Sequence, residues 1–176
     1  MSLEKKIMYG LENIHIAKIE NGKYNTPVAI EGAKSLEASF AYTIENARCG
    51  KSKVRFKNFV GGSGKLNILG LTHSEQNLIF GNAIEENFLK VNVLDSPPRF
   101  ALMFSKKNAL GEDIGYCIYN IRFNPISLGA NTIVGGAVEE EIIELEFSID
   151  PNENGDIYYL EKGNENFFNK VKILQI

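Results

Sequence analysis

A chain of 176 residues, 44% apolar and 23% charged, has the size and balance of one folded domain and excludes a disordered polyelectrolyte. Its net charge of −3 argues against a general nucleic-acid binder, and no apolar run approaches the roughly 18 residues that cross a bilayer. Cys49 and Cys117 have neither metal-ligand nor disulfide-framework spacing, which suits a reducing cytoplasm.

Residues 1–8 carry no apolar stretch with a cleavage site. They are set aside as an N-terminal extension, with residues 9–176 read as one domain. Period-two alternation then dominates. Residues 12–19 are a first strand candidate. Leu36, Ala38, Phe40, Tyr42 and Ile44 fall on one face and Glu37, Ser39, Thr43 and Glu45 on the other, the mark of a long half-buried strand. Residues 53–60 and 64–71 are two further strands. Thr72-His73-Ser74-Glu75 is a capping box, Leu78 and Ile79 follow on the next turn, and Gly81 is a C-terminal stop. This predicts a helix over 72–81 of about three turns. Phe100, Leu102 and Phe104 alternate over 99–106. Residues 114–124, with Tyr116, Cys117, Ile118, Tyr119, Ile121 and Phe123, are apolar on both faces and read as a central strand. Ile143, Leu145, Phe147 and Ile149 alternate over 141–150 opposite Glu144 and Glu146, and 170–175 is a last strand. The expected fold is mainly β: two packed antiparallel sheets with one face wet, as a β-sandwich or half-open barrel, with one short flanking α-helix.

Two stretches are too long for tight turns, Asn46 to Gly64 and Asn124 to Glu140. The first alternates Lys51, Lys53, Arg55 and Lys57 with Val54, Phe56 and Val60, and is read as an arm that becomes a strand when a partner is present. Charge is also segregated. Residues 47–71 hold six basic side chains and no acidic one; residues 139–165 hold ten acidic side chains against Lys162. Such blocks are commonly solvated faces. The alternative is that opposite patches steer identical copies together head to tail.

Chemistry-bearing motifs are sparse. His15 and His73 have no Cys, Asp or His at metal-ligand spacing and are read as structural or surface residues. Gly62-Ser63-Gly64-Lys65 fails as a phosphate loop, because Leu66 stands where Ser or Thr belongs and Phe59 where the first Gly belongs; Lys65 likewise breaks a nucleophile elbow. Asp150, Asn152, Asn154, Gly155 and Glu161 satisfy the spacing of a calcium loop, but a strand precedes them, so a strand-to-strand turn is preferred. Arg55, Phe56, Lys57 and Phe59 have the mixture of a single-strand nucleic-acid platform, which the acidic net charge disfavours. No catalytic residue, cofactor or metal is expected.

Several strings fall in a familiar order. Tyr9-Gly10-Leu11-Glu12-Asn13-Ile14-His15-Ile16-Ala17-Lys18 opens the first strand, and residues 25–36 run through Thr26-Pro27, Gly32-Ala33 and Ser35-Leu36 into the long alternating strand. Gly64-Lys65-Leu66-Asn67-Ile68-Leu69-Gly70-Leu71 precedes the capped helix; Phe100-Ala101-Leu102-Met103-Phe104 and Tyr116-Cys117-Ile118-Tyr119-Asn120 form paired strands. Over roughly residues 9–160 the chain resembles the major tail tube proteins of long-tailed bacteriophages, in particular the phi13-type major tail proteins.

That resemblance implies two packed β-sheets with a flanking helix, in a structural protein with no catalytic role. Six copies would form a ring, and rings would stack into a hollow tube that conducts the genome. The inter-subunit arm would correspond to residues 46–64, carrying Arg48, Lys51, Lys53, Arg55, Phe56, Lys57 and Phe59. Glu139, Glu140, Glu141, Glu144 and Glu146 are the candidate complementary acidic surface. Implied partners are further copies, a tape measure protein and a tail terminator, with double-stranded DNA only in transit and no membrane. The location would be the virion tail, and the host cytoplasm before assembly. A lumen conducting DNA should be acidic or neutral, since stacked basic rings would hold the duplex. The competing readings are the tube of a tail-like bacteriocin, a monomeric β-barrel binding a small ligand, and an enzyme with a scattered site.

Overall fold

The computed structural model describes residues 3–49, 52–129, 140–163 and 165–173. In chain order the strands are β1 (Met8–Glu20), β2 (Lys23–Tyr24), β3 (Val28–Ala29), β4 (Ala33–Cys49) and β5 (Ser52–Ile68). Helix α1 (His73–Phe80) follows, then β6 (Ala83–Glu85), β7 (Phe88–Lys90), β8 (Arg99–Asn108), β9 (Asp113–Phe123), β10 (Ile143–Ile149) and β11 (Tyr158–Lys162). The mainly β expectation holds: one nine-stranded antiparallel sheet, a separate two-stranded β6–β7 sheet and a short helix. The large sheet runs β2-β1-β8-β9-β10-β5-β4, with β3 added to β1 and β11 to β9.

The sheet curls until its ends share a core. On β1, Ile30 extends the β3 pairing by donating its N–H to the Ile14 carbonyl oxygen at 2.8 Å. Two residues on, the Gly32 carbonyl oxygen accepts from Leu69 N–H beyond the end of β5 at 3.0 Å. Ile14, Ile16 and Ile30 from one end therefore pack in one cluster with Leu66, Ile68, Leu36 and Phe40 from the other, around Phe100, Leu102, Phe123 and Phe147. Helix α1 adds Ile79 and Phe80 to this cluster. Its capping box is formed: Thr72 Oγ1 accepts from Glu75 N–H, and Glu75 accepts from Thr72 N–H at 2.8 Å. Gly81 closes the helix in the left-handed region at φ 72°, after eight residues, so the helix is about two turns rather than three.

Strands β8 and β9 are covered on both faces, which only β9 showed in its sequence. Ala17, Ala101, Met103, Cys117 and Tyr119 form a second cluster on the reverse face, capped by Tyr159, Phe167 and Val171. A bulge in β9 makes this possible. Phe100 pairs with Ile121 and Leu102 with Ile118, so β9 spends one extra residue, and Asn120 there adopts φ 49°. Ile118 and Ile121 thereby both face inward while Tyr119 faces the reverse side. The C-terminal segment is held there by Tyr119 Oη, which donates to the Lys172 carbonyl oxygen at 2.5 Å. Lys172 N–H in turn donates to Tyr159 Oη at 3.2 Å. The strand expected at 170–175 is not found: residues 170–173 are irregular, after a 3-10 turn at Phe167–Asn169, and residues 174–176 lie outside the described set. Their task is to cover a face rather than extend the sheet.

The largest correction concerns Asn46–Gly64. It is not a connecting loop awaiting a partner. The 53–60 and 64–71 candidates are one 17-residue strand, β5, and its pairing with β4 runs from Ala33↔Ile68 out to Cys49↔Ser52. The glycine run that looked like a loop is a packing device. A Cβ on Gly64 would lie 2.3 Å from Phe147 Cζ and 2.5 Å from the Glu37 carbonyl oxygen; one on Gly62 would lie 3.0 Å from Ile149 Cβ. The glycines let β10 side chains lie flat across β5. Of the other long stretch, residues 124–129 are irregular and 130–139 lie outside the described residues.

Gly64→Ala should therefore destabilise the fold by about 1–3 kcal/mol in urea unfolding. Gly129→Ala, with nothing within 4 Å of its Cβ position, should change stability by less than about 0.5 kcal/mol. Equal effects at both positions would contradict the packing role.

Candidate functional site

The β4–β5 hairpin outruns the sheet that supports it. Strand β10 is seven residues long and pairs with β5 only from Gly62 to Ile68. Beyond Gly61, no third strand flanks the hairpin among the described residues, and the outer edge of β4 is unpaired throughout. Residues 41–48 and 53–58 are all exposed.

A second bulge decides what this arm displays. Ala41 pairs with Gly61 but Tyr42 pairs with Phe59, which leaves Val60 as an extra residue beside Gly61 at φ 145°. Because side chains alternate along a strand, one extra residue exchanges the two faces of β5. On the core-side face, past Leu36 and Phe40, Tyr42, Ile44, Asn46 and Arg48 stand beside Phe59, Lys57, Arg55 and Lys53. The other face carries Thr43, Glu45 and Ala47 beside Asn58, Phe56 and Val54. Without the bulge, Val54 and Phe56 would have continued the core face. With it, all four described arm cations share one face.

That face is electrostatically unbalanced. Lys57 Nζ lies 4.0 Å above the centre of the Tyr42 ring, which packs edge-on against Phe59 at 5.4 Å. Toward the tip, Arg48 is directly opposite Lys53, a like-charge pair that opposes the hairpin. Among the described residues none of Arg48, Lys53, Arg55 and Lys57 forms a salt bridge. Ile44 is 64% exposed and Phe56 49% exposed. Lys51 lies outside the described residues.

The acidic surface is differently placed. Glu144 and Glu146 project from the outer face of β10 onto Lys65 of the neighbouring β5, at 2.8 and 3.3 Å. Hydrogen bonds to these two carboxylates hold the Lys65 ammonium above its ordinary lysine pKa. Glu140 pairs with Lys34 at 2.9 Å. Three of the expected docking carboxylates are thus already met by cations of the same chain; Glu141 is exposed, and Glu139 lies outside the described residues. Among the described residues, no ion pair joins the basic arm to this acidic surface within one copy.

Other motif residues take structural places. His15 stacks on Phe168 with ring centres 4.5 Å apart, and His73 begins α1. The 150–157 segment is the turn between β10 and β11. Asn152 Oδ1 accepts from Asn154 N–H at 2.9 Å and Asp156 N–H at 2.8 Å, and Gly155 sits at φ 84°. Among the described residues, no group of three or more His, Cys, Asp or Glu side chains is arranged to hold a metal. The buried Cys117 thiol is pushed up to about 12 by burial, so it is no nucleophile at neutral pH. Sequence reading missed one surface, residues 82–98, where Phe88, Val91, Val93 and Leu94 are exposed. Its signal was a cluster of large apolar residues outside any amphipathic period.

No protein-family model matches the sequence, and no curated protein is significantly similar to it. Two solved structures are similar in fold. The first is the PVC sheath–tube complex of an extracellular contractile injection system in its extended state. It has 10% identity over 85% of this chain and 88% of that chain, with a TM-score of 0.48. The second is the tube terminating cap of the anti-feeding prophage, with 11% identity over 85% and 87% of the two chains and a TM-score of 0.48.

Proposed function

We propose that this protein is a structural subunit that builds a tube from copies of itself, in a phage, prophage or tail-like particle. The observation that carries the proposal is the arm: a paired ribbon past the bulge in which no described side chain is fully buried and β4's outer edge is unpaired among the described residues. A two-stranded ribbon is marginal alone in water, and a long bare edge invites another strand. Such an extension is stable and useful only when a neighbour covers it. The ordered sequence resemblance to phage tail tube proteins, arm position included, supports the same reading. It extends to rings of six stacked into a tube, to a tape measure and a terminator as partners, and to a nucleic acid or other cargo in transit. A tail-like bacteriocin tube uses the same subunit logic.

The interior of the curled sheet argues against a small-ligand barrel. It is filled by Phe100, Leu102, Phe123, Leu145 and Phe147, all at most 1% exposed, where a ligand barrel keeps a cavity.

Electron microscopy of concentrated protein tests the proposal. Full-length protein should give rings or tubes. A variant with residues 43–58 replaced by an Asn-Gly turn between Tyr42 and Phe59 should keep its fold and melting temperature yet remain monomeric. Persistent monomers of the full-length protein, or equal assembly by the shortened one, would contradict it.

A further inference from the structure

Residues 82–98 link α1 to β8 and display apolar side chains on a pinned framework. Phe88 is 73% exposed, Val93 97% and Leu94 86%. The loop is nevertheless fixed. Asn82, itself buried, donates from Nδ2 to Asp95 Oδ2 at 2.9 Å; Asn92 N–H donates to the same oxygen at 2.7 Å; Leu94 N–H donates to Asn92 Oδ1 at 3.0 Å. Those first two bonds hold the Asp95 carboxyl below its ordinary pKa. Val93 and Leu94 thus face water from a segment whose ordering entropy is already spent, the condition that favours binding.

The same surface carries unmet negative charge. In the β6–β7 hairpin, Glu85 pairs with Phe88 across the turn, and Glu86 sits at φ 50°, a left-handed conformation that non-glycine residues rarely hold. Glu12, Glu112, Glu144 and Glu161 are each bridged to a lysine of their own chain. Glu85 and Glu86 form no such bridge among the described residues. The arm presents the counterpart on one face: exposed Ile44 and Tyr42 near the bulge, unbridged Lys53 and Arg55 toward the tip. Each surface therefore supplies what the other lacks, apolar for apolar and cation for anion.

We propose that the 82–98 loop is the seat for the β4–β5 arm of a second copy. Ile44 and Tyr42 cover Phe88, Val93 and Leu94, while Arg55 and Lys53 reach Glu85 and Glu86. This rests on the self-assembly reading above and names its docking surface. Arm and seat are different patches of one chain, so the contact suits the head-to-tail arrangement that a tube requires.

A charge-exchange series on the full chain, followed by sedimentation, tests it. Glu85→Lys with Glu86→Lys, and separately Lys53→Glu with Arg55→Glu, should each raise the concentration needed for assembly by about tenfold or more. All four changes together should recover most of the loss. A photo-crosslinking residue at Ile44 gives a second readout, with crosslinks expected within residues 82–98 of another copy. Unchanged assembly in the glutamate variant, no recovery in the fourfold variant, or crosslinks elsewhere would overturn the seat while leaving self-assembly intact. Failure of the unaltered chain to assemble would overturn both readings.

Discussion

A β-ribbon has two faces and two edges, and a single short strand can cover only part of one edge. In this protein β10 is seven residues long while the hairpin beside it has strands of 17. The arm and its supported base both follow from that mismatch. Where β10 does pair, Gly62 and Gly64 strip β5 of side chains so that Ile149 and Phe147 can lie across it and join the core. Where β10 stops, the hairpin continues with no third strand and no fully buried side chain among the described residues, and Val60 bulges at the boundary. The bulge then moves Val54 and Phe56 away from the core-side face and gathers the cations there.

Charge follows the same division. Across the supported body, several lysines and carboxylates are paired within the chain, as Lys65 is with Glu144 and Glu146 and Lys107 with Glu12. Exposed pairs of this kind add little stability, but they leave a neutral, unattractive surface. The arm and the β6–β7 hairpin each combine charge that is unbridged among the described residues with uncovered apolar side chains. Two such places of opposite sign on one chain are what the proposed self-assembly requires.

Much of the body was legible in residue patterns. The alternation of Leu145, Phe147 and Ile149 against Glu144 and Glu146, the two-faced 114–124 segment and the Thr72 capping box all correspond to observed elements, because each follows from burial or local hydrogen bonding. The 46–64 stretch was legible as charged and alternating but not as part of one paired hairpin. Charges and glycines normally argue against a strand, yet here the charges face water and Gly64 answers to Phe147, 83 residues further along the chain. Bulges at Asn120 and Val60 leave no composition signal, since they are properties of register between strands. The Phe167 cover and the exposed apolar side chains of 82–98 escaped for a related reason: both lie in short elements or irregular turns too brief to show a period.

Amide hydrogen exchange, followed segment by segment across a range of protein concentrations, tests the central claim most directly. In dilute protein, residues 41–49 and 52–60 should exchange orders of magnitude faster than β8 and β9, because no third strand flanks them among the described residues. Their protection should rise with concentration as neighbouring copies dock. An arm as protected as β8 and β9 in the isolated monomer, with no dependence on concentration, would contradict the account.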